Sequence, residues 1–541
     1  MRRPVHPLLL AAFPIVSMYS VVPGRSDAGE ILSAVAITVA IVALLWMIVA
    51  AAYRDGDKSA LLVSASLLVV VLVPESLFRY VEHSPLANWG LGRTRYVLAA
   101  ATLLLSGIAV LLYRTRRPLD RWTAVANVAG AGLLVVPLLA LGSFQIRTFA
   151  TGTRTGPHIA TPRSTHAVPA PPDIYYIIFD RYGDRRTMAS YGVDNDTLYA
   201  FLTNHGFYIA RDSHANYIKT SLSVSSSLNM AYHDDLAQNP GPESANWLPI
   251  NYRLRDHAVG RFLKEQGYTY IHAGSWWWPT HANRNADENI NFFSAVPHPV
   301  MLLFHQPLIQ PITAALRSAA IDDRLQQWHR VRRQLAELER VAERPEPTFV
   351  FAHILVPHPP YVFDADGSYV SFDMESRRST RDNYRNQVLF ANQMIVHFVR
   401  TILSRSSSPP VILLQGDEGP YPKAGGRPDM QDEFRWRDLN PSQLRERSAI
   451  LNAYHLPGSG AAALYPSISP VNSFRVIFNT YFDTKLPLLP DRIYRHDSEN
   501  RPYSYADVTD TVFEAERSVD QRSQPRASQV TRRDEPGSQG R

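Results

Sequence analysis

The first 145 residues contain five apolar runs, 7–22, 31–52, 60–78, 96–113 and 122–144, separated by short polar or charged segments. No other feature of the chain constrains its fold as strongly. A run of ~20 apolar residues matches the ~30 Å hydrocarbon layer of a bilayer, where the backbone must satisfy its own hydrogen bonds and a helix does so. Five transmembrane helices are therefore expected within residues 1–147, the first being the shortest. Arg2 and Arg3 would also suit the start of a signal peptide. The sequence after Val22 has no convincing small-residue cleavage site, so the first run is read as a retained crossing.

Basic residues set the orientation. With the N-terminus inside, the cytoplasmic segments carry Arg2, Arg3, Arg54, Lys58, Arg114, Arg116, Arg117 and Arg121, against Arg25, Arg79, Arg93 and Arg95 on the other side. The excess predicts a multi-pass protein of the inner (plasma) membrane, with everything beyond Phe144 extracytoplasmic. Glu75, the one carboxylate within the apolar runs and near the end of the third, is read as interfacial, with a lipid-substrate contact as the alternative. The net charge of +6 would by itself permit nucleic-acid binding. Because the cations cluster around the apolar runs, topology accounts for them and no nucleic-acid partner is expected. The chain has no cysteine, which excludes disulfides, thiolate metal sites and cysteine nucleophiles.

Residues 148–172 read as a Pro-rich linker. From Asp173 short apolar runs, 173–180, 206–210, 268–274, 348–355 and 410–416, alternate with helical stretches. Continuous apolar strands between helices predict an α/β domain over 173–510, doubly wound around a mostly parallel sheet. The clearest helix is 321–343, where Leu325, Trp328, Val331, Leu335, Leu338 and Val341 recur at three- and four-residue steps between charges. Residues 511–541, charged and nearly devoid of large apolar side chains beyond Ala515, are expected to be disordered.

An open parallel sheet binds ligands beyond the carboxyl ends of its strands. Asp180 ends the first run, His353 and His358 lie at and beyond the end of the fourth, and Asp417 and Glu418 follow the fifth. A carboxylate at a strand end must hydrogen-bond, pair or bind a cation. Asp180 and Asp184 have Arg181, Arg185 and Arg186 nearby, so ion pairing competes there. Asp417 and Glu418, followed by Gly419 and Pro420, have no neighbouring base before Lys423 and look more like a cation site. The segment 216–230 supplies hydroxyls at Thr220, Ser221, Ser223, Ser225, Ser226 and Ser227. A hydroxyl at a helix start either caps the helix or, near a cation, becomes a nucleophile facing an anion. Trp276, Trp277 and Trp278 form either a buried aromatic cluster or a platform for a sugar or lipid head group. His272 and His281 are read as structural, with a substrate contact by one of them as the alternative, and Lys219 as solvent-facing, with neutralisation of a phosphate as the alternative.

The motifs IIFDRYG, NYIKTSLSVSSSLNM, GSWWWPT, HILVPHPPY, LLQGDEGPYP and RSAILNAYHLPG, in this order, resemble those of the alkaline phosphatase superfamily. The resemblance is to its sulfatase-like membrane branch, which includes lipoteichoic acid synthases and phosphoethanolamine transferases. It implies Asp180 as the first metal ligand and Thr220 as nucleophile and ligand. It further implies Asp417 and Glu418 as the late ligand pair, His358 at the substrate phosphate and His353 as a second substrate contact. One divalent metal ion is implied, with a lipid-linked phosphoryl donor and an envelope glycan or lipid acceptor as partners. The branch usually has Asp-His-Gly where this chain has Asp417-Glu418-Gly419. If Glu418 ligates, the shell is almost all oxygen, which favours Mn or Mg over Zn; if it does not, a weak or inactive site is the alternative. Sulfatases proper need a Cys or Ser in a Cys/Ser-x-Pro-x-Arg context, absent from 216–230, so phosphoryl chemistry ranks above sulfate-ester hydrolysis. Transfer and hydrolysis stay open, as does Ser221 in place of Thr220. The rival from another class is a non-catalytic scaffold that binds an envelope glycan.

Overall fold

A computed structural model describes residues 3–21, 24, 28–72, 94–150, 160–162, 171–291, 300, 308–309, 322–420 and 436–523. In its N-terminal part the described helices are α1 (His6–Val21), α2 (Ala28–Tyr53), α3 (Gly56–Leu72), α4 (Thr94–Arg114) and α5 (Asp120–Ala150). Among the described residues three spans, Ala28–Tyr53, Tyr96–Arg114 and Asp120–Phe149, are long and apolar enough to cross a membrane, and His6–Val21 is a shorter apolar helix. Of the five expected crossings, three are such candidates among the described residues, and the run 60–78 lies partly outside those residues. Glu75 lies outside the described residues, as does most of the linker 148–172. A polar cluster ties α1, α3 and α5 together: Asn127 Oδ1 accepts from Val5 and His6 N–H, and His6 Nδ1 meets Ser64 Oγ at 2.5 Å.

The second part is built on a seven-stranded sheet of β1 (Ile174–Phe179), β2 (Tyr208–Ile209), β3 (Thr269–Ala273), β4 (Glu288–Ile290), β5 (Thr348–Ile354), β6 (Val411–Gln415) and β7 (Asn452–His455). Its order is β2-β7-β6-β1-β5-β3-β4. The central pairs are parallel, and β7 runs antiparallel to β6 and β2. Every side chain of β1 is buried because both sheet faces are covered. Tyr175, Ile177 and Phe179 point to one face, packed with Val331, Leu338, Val388 and Ile395. Ile174, Tyr176 and Ile178 point to the other, packed with Val224, Leu228, Phe262 and Phe474. This period-two partition is why the sequence shows an unbroken apolar run rather than alternation.

The helix expected at 321–343 runs Asp323–Val341, capped by the Asp322 side chain. Its buried face is not purely apolar: Gln326, Gln327, Arg330 and Gln334 are buried beside Val331, Leu338 and Val341. Gln334 Nε2 donates to Gly274 O at 2.7 Å and reaches His353 O at 3.3 Å. The amide thereby ties the ends of β3 and β5, a job that apolar periodicity does not reveal. The hairpin of β8 (Tyr494–Ser498) and β9 (Arg501–Asp507) packs outside the main sheet. The tail expected to lack structure from 511 begins instead as part of a helix, Thr509–Ser523. Val512 is buried, and Glu516 pairs with His214 at 3.3 Å and Arg445 at 3.3 Å. These contacts supply what its composition lacks.

Candidate metal centre

Registers bring three strand ends to one edge. Phe179 pairs with Ile354, and Ile178 pairs with both His353 and Gln415. Asp180, His353 and Asp417 therefore converge, although Asp180 and His353 are 173 residues apart in the chain. All three are buried, and one ligand atom from each lies within 4.8 Å of the others. His353 Nε2 is 3.2 Å from Asp180 Oδ2, while its Nδ1 is 2.8 Å from Thr280 Oγ1. Thr280 is held in turn by Ser275 Oγ at 2.8 Å.

Two carboxylate oxygens in this cluster, Asp180 Oδ1 and Asp417 Oδ2, are buried without a hydrogen-bond partner. Buried, unsatisfied and adjacent carboxylates are costly unless a cation neutralises them. The donor set of two carboxylates and an imidazole therefore fits the divalent metal ion that the resemblance implies. Burial, then Asp180 and Glu418, push the Asp417 carboxyl well above its usual range, and Thr220 offsets part of that rise through its hydroxyl. Burial also acts to raise Asp180. His358 and His353, followed by Arg181, more than reverse it and hold that carboxyl well below the usual range.

Thr220 is the first residue of the helix Thr220–Asn229, whose residues are all buried. The neighbouring hydroxyls are largely absorbed by structure. Asn216 bonds both Ser223 and Ser226, and Ser227 donates to Ser223 O. Lys219 is not solvent-facing: its Nζ is 2.9 Å from Glu499 Oε1 and 5.8 Å from the centre of the Trp436 ring.

Glu418 is as buried as Asp417, yet its Oε1 is turned to Arg447, with Arg181 Nε at 3.6 Å; its Oε2 has no hydrogen-bond partner. Arg447 Nη1 donates to Gly419 O at 2.6 Å, and Gly419 N–H donates to Arg447 O at 2.7 Å. Arg447 is the first residue of the motif RSAILNAYHLPG. A fully buried arginine has no signature in composition or periodicity. Asp184, by contrast, caps the helix Arg185–Ser190 and pairs with Arg445 at 2.6 Å, a structural role.

His358 is half-buried beyond β5, and its Nδ1–H donates to Pro359 O, which leaves Nε2 for other partners. Burial and Arg181 push its imidazole down to about 3 against the pull of Asp180. Trp276 lies edge-on to His358 at 6.1 Å between ring centres, and Trp277 to His353 at 6.0 Å. Both indoles are half-buried, so they border the cluster while keeping exposed surface. Trp278 instead stacks under Arg255. His272 and His281 bond backbone carbonyls at Thr280 and Ser275.

Glycines let the acidic turn approach its neighbours. A Cβ on Gly416 would lie 2.3 Å from Tyr182 O, and one on Gly419 2.0 Å from Glu446 O. Gly419→Ala is expected to destabilise the fold by about 1–3 kcal/mol, read as a lower thermal midpoint; an unchanged midpoint would contradict this packing.

The family model described as Sulfatase matches residues 172–458, more than half of the chain. No curated protein matches the sequence. Among solved structures, the C-terminal periplasmic domain of EcEptC from Escherichia coli is 12% identical with a TM-score of 0.42, covering 65% of this chain and 96% of that one. The integral membrane lipooligosaccharide phosphoethanolamine transferase A (EptA) from Neisseria meningitidis is 10% identical with a TM-score of 0.40, covering 88% and 95%. A protein in the alkaline phosphatase superfamily from Vibrio parahaemolyticus is 11% identical with a TM-score of 0.36, covering 64% and 79%.

Proposed function

The chain belongs to the sulfatase family, and from that premise we propose that it is a membrane-anchored phosphotransferase acting through a threonine nucleophile. The observation that supports the reading is the pair of orphaned, buried carboxylate oxygens on Asp180 and Asp417 beside a hydroxyl at a helix N-terminus. Asp180, Asp417 and Thr220 would hold one divalent cation, with the fourth position open to Glu418 or His353. When bound, the cation neutralises charge on phosphoryl oxygens and lowers the pKa of a hydroxyl. An oxygen-rich shell favours Mn or Mg over Zn.

The Thr220 Oγ–phosphorus bond forms as the ester bond to the donor alcohol breaks, and that alcohol leaves with a proton. An acceptor hydroxyl then attacks the phosphorus and Thr220 Oγ departs, regaining its proton. Backbone N–H groups at the start of the Thr220–Asn229 helix favour the anion. His358 Nε2 contacts the substrate phosphate, and Trp276 and Trp277 offer a surface for the head group. The anchor favours a lipid-linked donor and an envelope glycan or lipid acceptor. In this reading the N-terminus is cytoplasmic and the catalytic domain extracytoplasmic, in the inner membrane.

The test is diacylglycerol release from a panel of fluorescent glycerophospholipids by the full chain in detergent with Mn2+, with and without added acceptor sugars. Release by wild type and none by Asp180→Asn is expected. No release from any donor by cation-loaded protein would sink the reading. A positioning effect is also expected at Thr280: Thr280→Val leaves His353 Nδ1 without its hydroxyl partner and should weaken cation affinity by about 10–100-fold, measured by Mn2+ titration. Unchanged affinity would show that His353 orientation does not matter to the cation.

A further inference from the structure

We propose that Glu418 is not a cation ligand but the buried counter-ion of Arg447, and that His353 takes the fourth position at the cation. This rests on the metal-dependent reading above. Asp417 and Glu418 are consecutive in the bend just beyond β6, and their side chains take different partners. Asp417 faces Asp180 and His353, within the 4.8 Å set, whereas Glu418 Oε1 meets Arg447 and Arg181. Arg447 is fully buried, so removing its partner would strand a charge. The charges agree: with Glu418 paired to Arg447, Asp180 and Asp417 carry the two negative charges that a divalent cation neutralises.

The ion pair also has a mechanical consequence. Arg447 bonds Gly419 through both its guanidinium and its backbone carbonyl, closing the turn that carries Asp417. Its guanidinium lies 5.2 Å from the centre of the Trp436 ring, which Lys219 approaches at 5.8 Å. Glu499 Oε1 accepts from both Trp436 Nε1, at 3.2 Å, and Lys219. Glu418–Arg447–Trp436–Lys219 is thus a chain of contacts between the Asp417 turn and the residue preceding Thr220. Glu418 is thereby tied through Arg447 to both segments, while the cation shell has one nitrogen among its protein donors.

The experiment uses full-length protein loaded with Mn2+ and reads 14N coupling by pulsed electron paramagnetic resonance, alongside Mn2+ stoichiometry. Wild type should bind one ion with a histidine-type 14N coupling that is lost in His353→Gln. Glu418→Gln should keep the ion, the coupling and an affinity within about threefold, because no ligand is removed. Its metal-free thermal midpoint should fall by about 5 °C or more, since the buried Arg447 loses the opposite charge of Glu418. The double variant Glu418→Gln/Arg447→Met removes both charges, so it should recover most of that midpoint and still bind the ion. Loss of the ion, or a hundredfold weaker affinity, in the double variant would make Glu418 a ligand and overturn the proposal. A wild-type signal without 14N coupling would overturn it at His353. A wild type that binds no Mn2+ would instead sink the metal-dependent reading, while the metal-free midpoints would still test the Glu418–Arg447 pair.

Discussion

Thr220→Ala is expected to cut turnover of a phospholipid donor by about 10^4-fold or more while leaving the fold near wild type. The size of the effect follows from the role: a nucleophile that forms the covalent intermediate has no substitute when its oxygen is deleted. The small structural effect follows from position. Thr220 begins its helix, and the cap preceding it is Lys219, whose side chain is held by Glu499 and Trp436 rather than by the threonine. The hydroxyls that brace the segment, Ser223, Ser226 and Ser227, are untouched. Thr220→Ser keeps the oxygen and should retain measurable turnover. Near-normal turnover in Thr220→Ala, with loss in Ser221→Ala, would transfer the role to the adjacent hydroxyl.

Asp417→Asn should move two properties in opposite directions. Cation binding should fall by two orders of magnitude or more, because a charged donor of the three-residue cluster becomes a neutral amide. The metal-free protein, however, should become more stable by about 1–2 kcal/mol. In the absence of a cation, Asp417 is buried beside Asp180 and Glu418, and both burial and those charges disfavour its ionised form. An asparagine keeps the oxygen that accepts the Arg181 N–H, 2.9 Å away, and removes the repulsion. Calorimetry of both proteins with and without Mn2+ checks the pair of signs. A variant less stable than wild type without metal would mean that the carboxylate is satisfied in the empty site.

What the sequence revealed and concealed divides along physical lines. Strands β1, β3, β5 and β6 were legible because burial on both faces leaves continuous apolar runs ending in polar residues. The order of motifs pointed to the family because Asp180, Thr220, His353, His358 and Asp417 are each tied to a strand end, a helix start or the loop beyond. Strand β7, reading Asn-Ala-Tyr-His, and the polar hairpin of β8 and β9 carry no such pattern; they form through pairing partners distant in the chain. Orientation was also invisible. Nothing in Asp417-Glu418-Gly419 says that one carboxylate turns to Asp180 and the other to Arg447, because Arg447 arrives from a separate helix, Pro441–Ser448. Likewise Thr280 and Gln334 act on His353 only once β3, β5 and the Asp323–Val341 helix have packed.

The central claim, a phosphoryl group carried on Thr220, is tested most directly by peptide mass spectrometry. Full-length protein would be incubated with Mn2+ and the donor panel without acceptor, then quenched in acid. The account predicts a phosphoryl-head-group adduct on the 216–230 peptide at Thr220, absent from Thr220→Ala and discharged when an acceptor is added before quenching. Steady release of diacylglycerol with no adduct on that peptide, or an adduct that persists in Thr220→Ala, would contradict it.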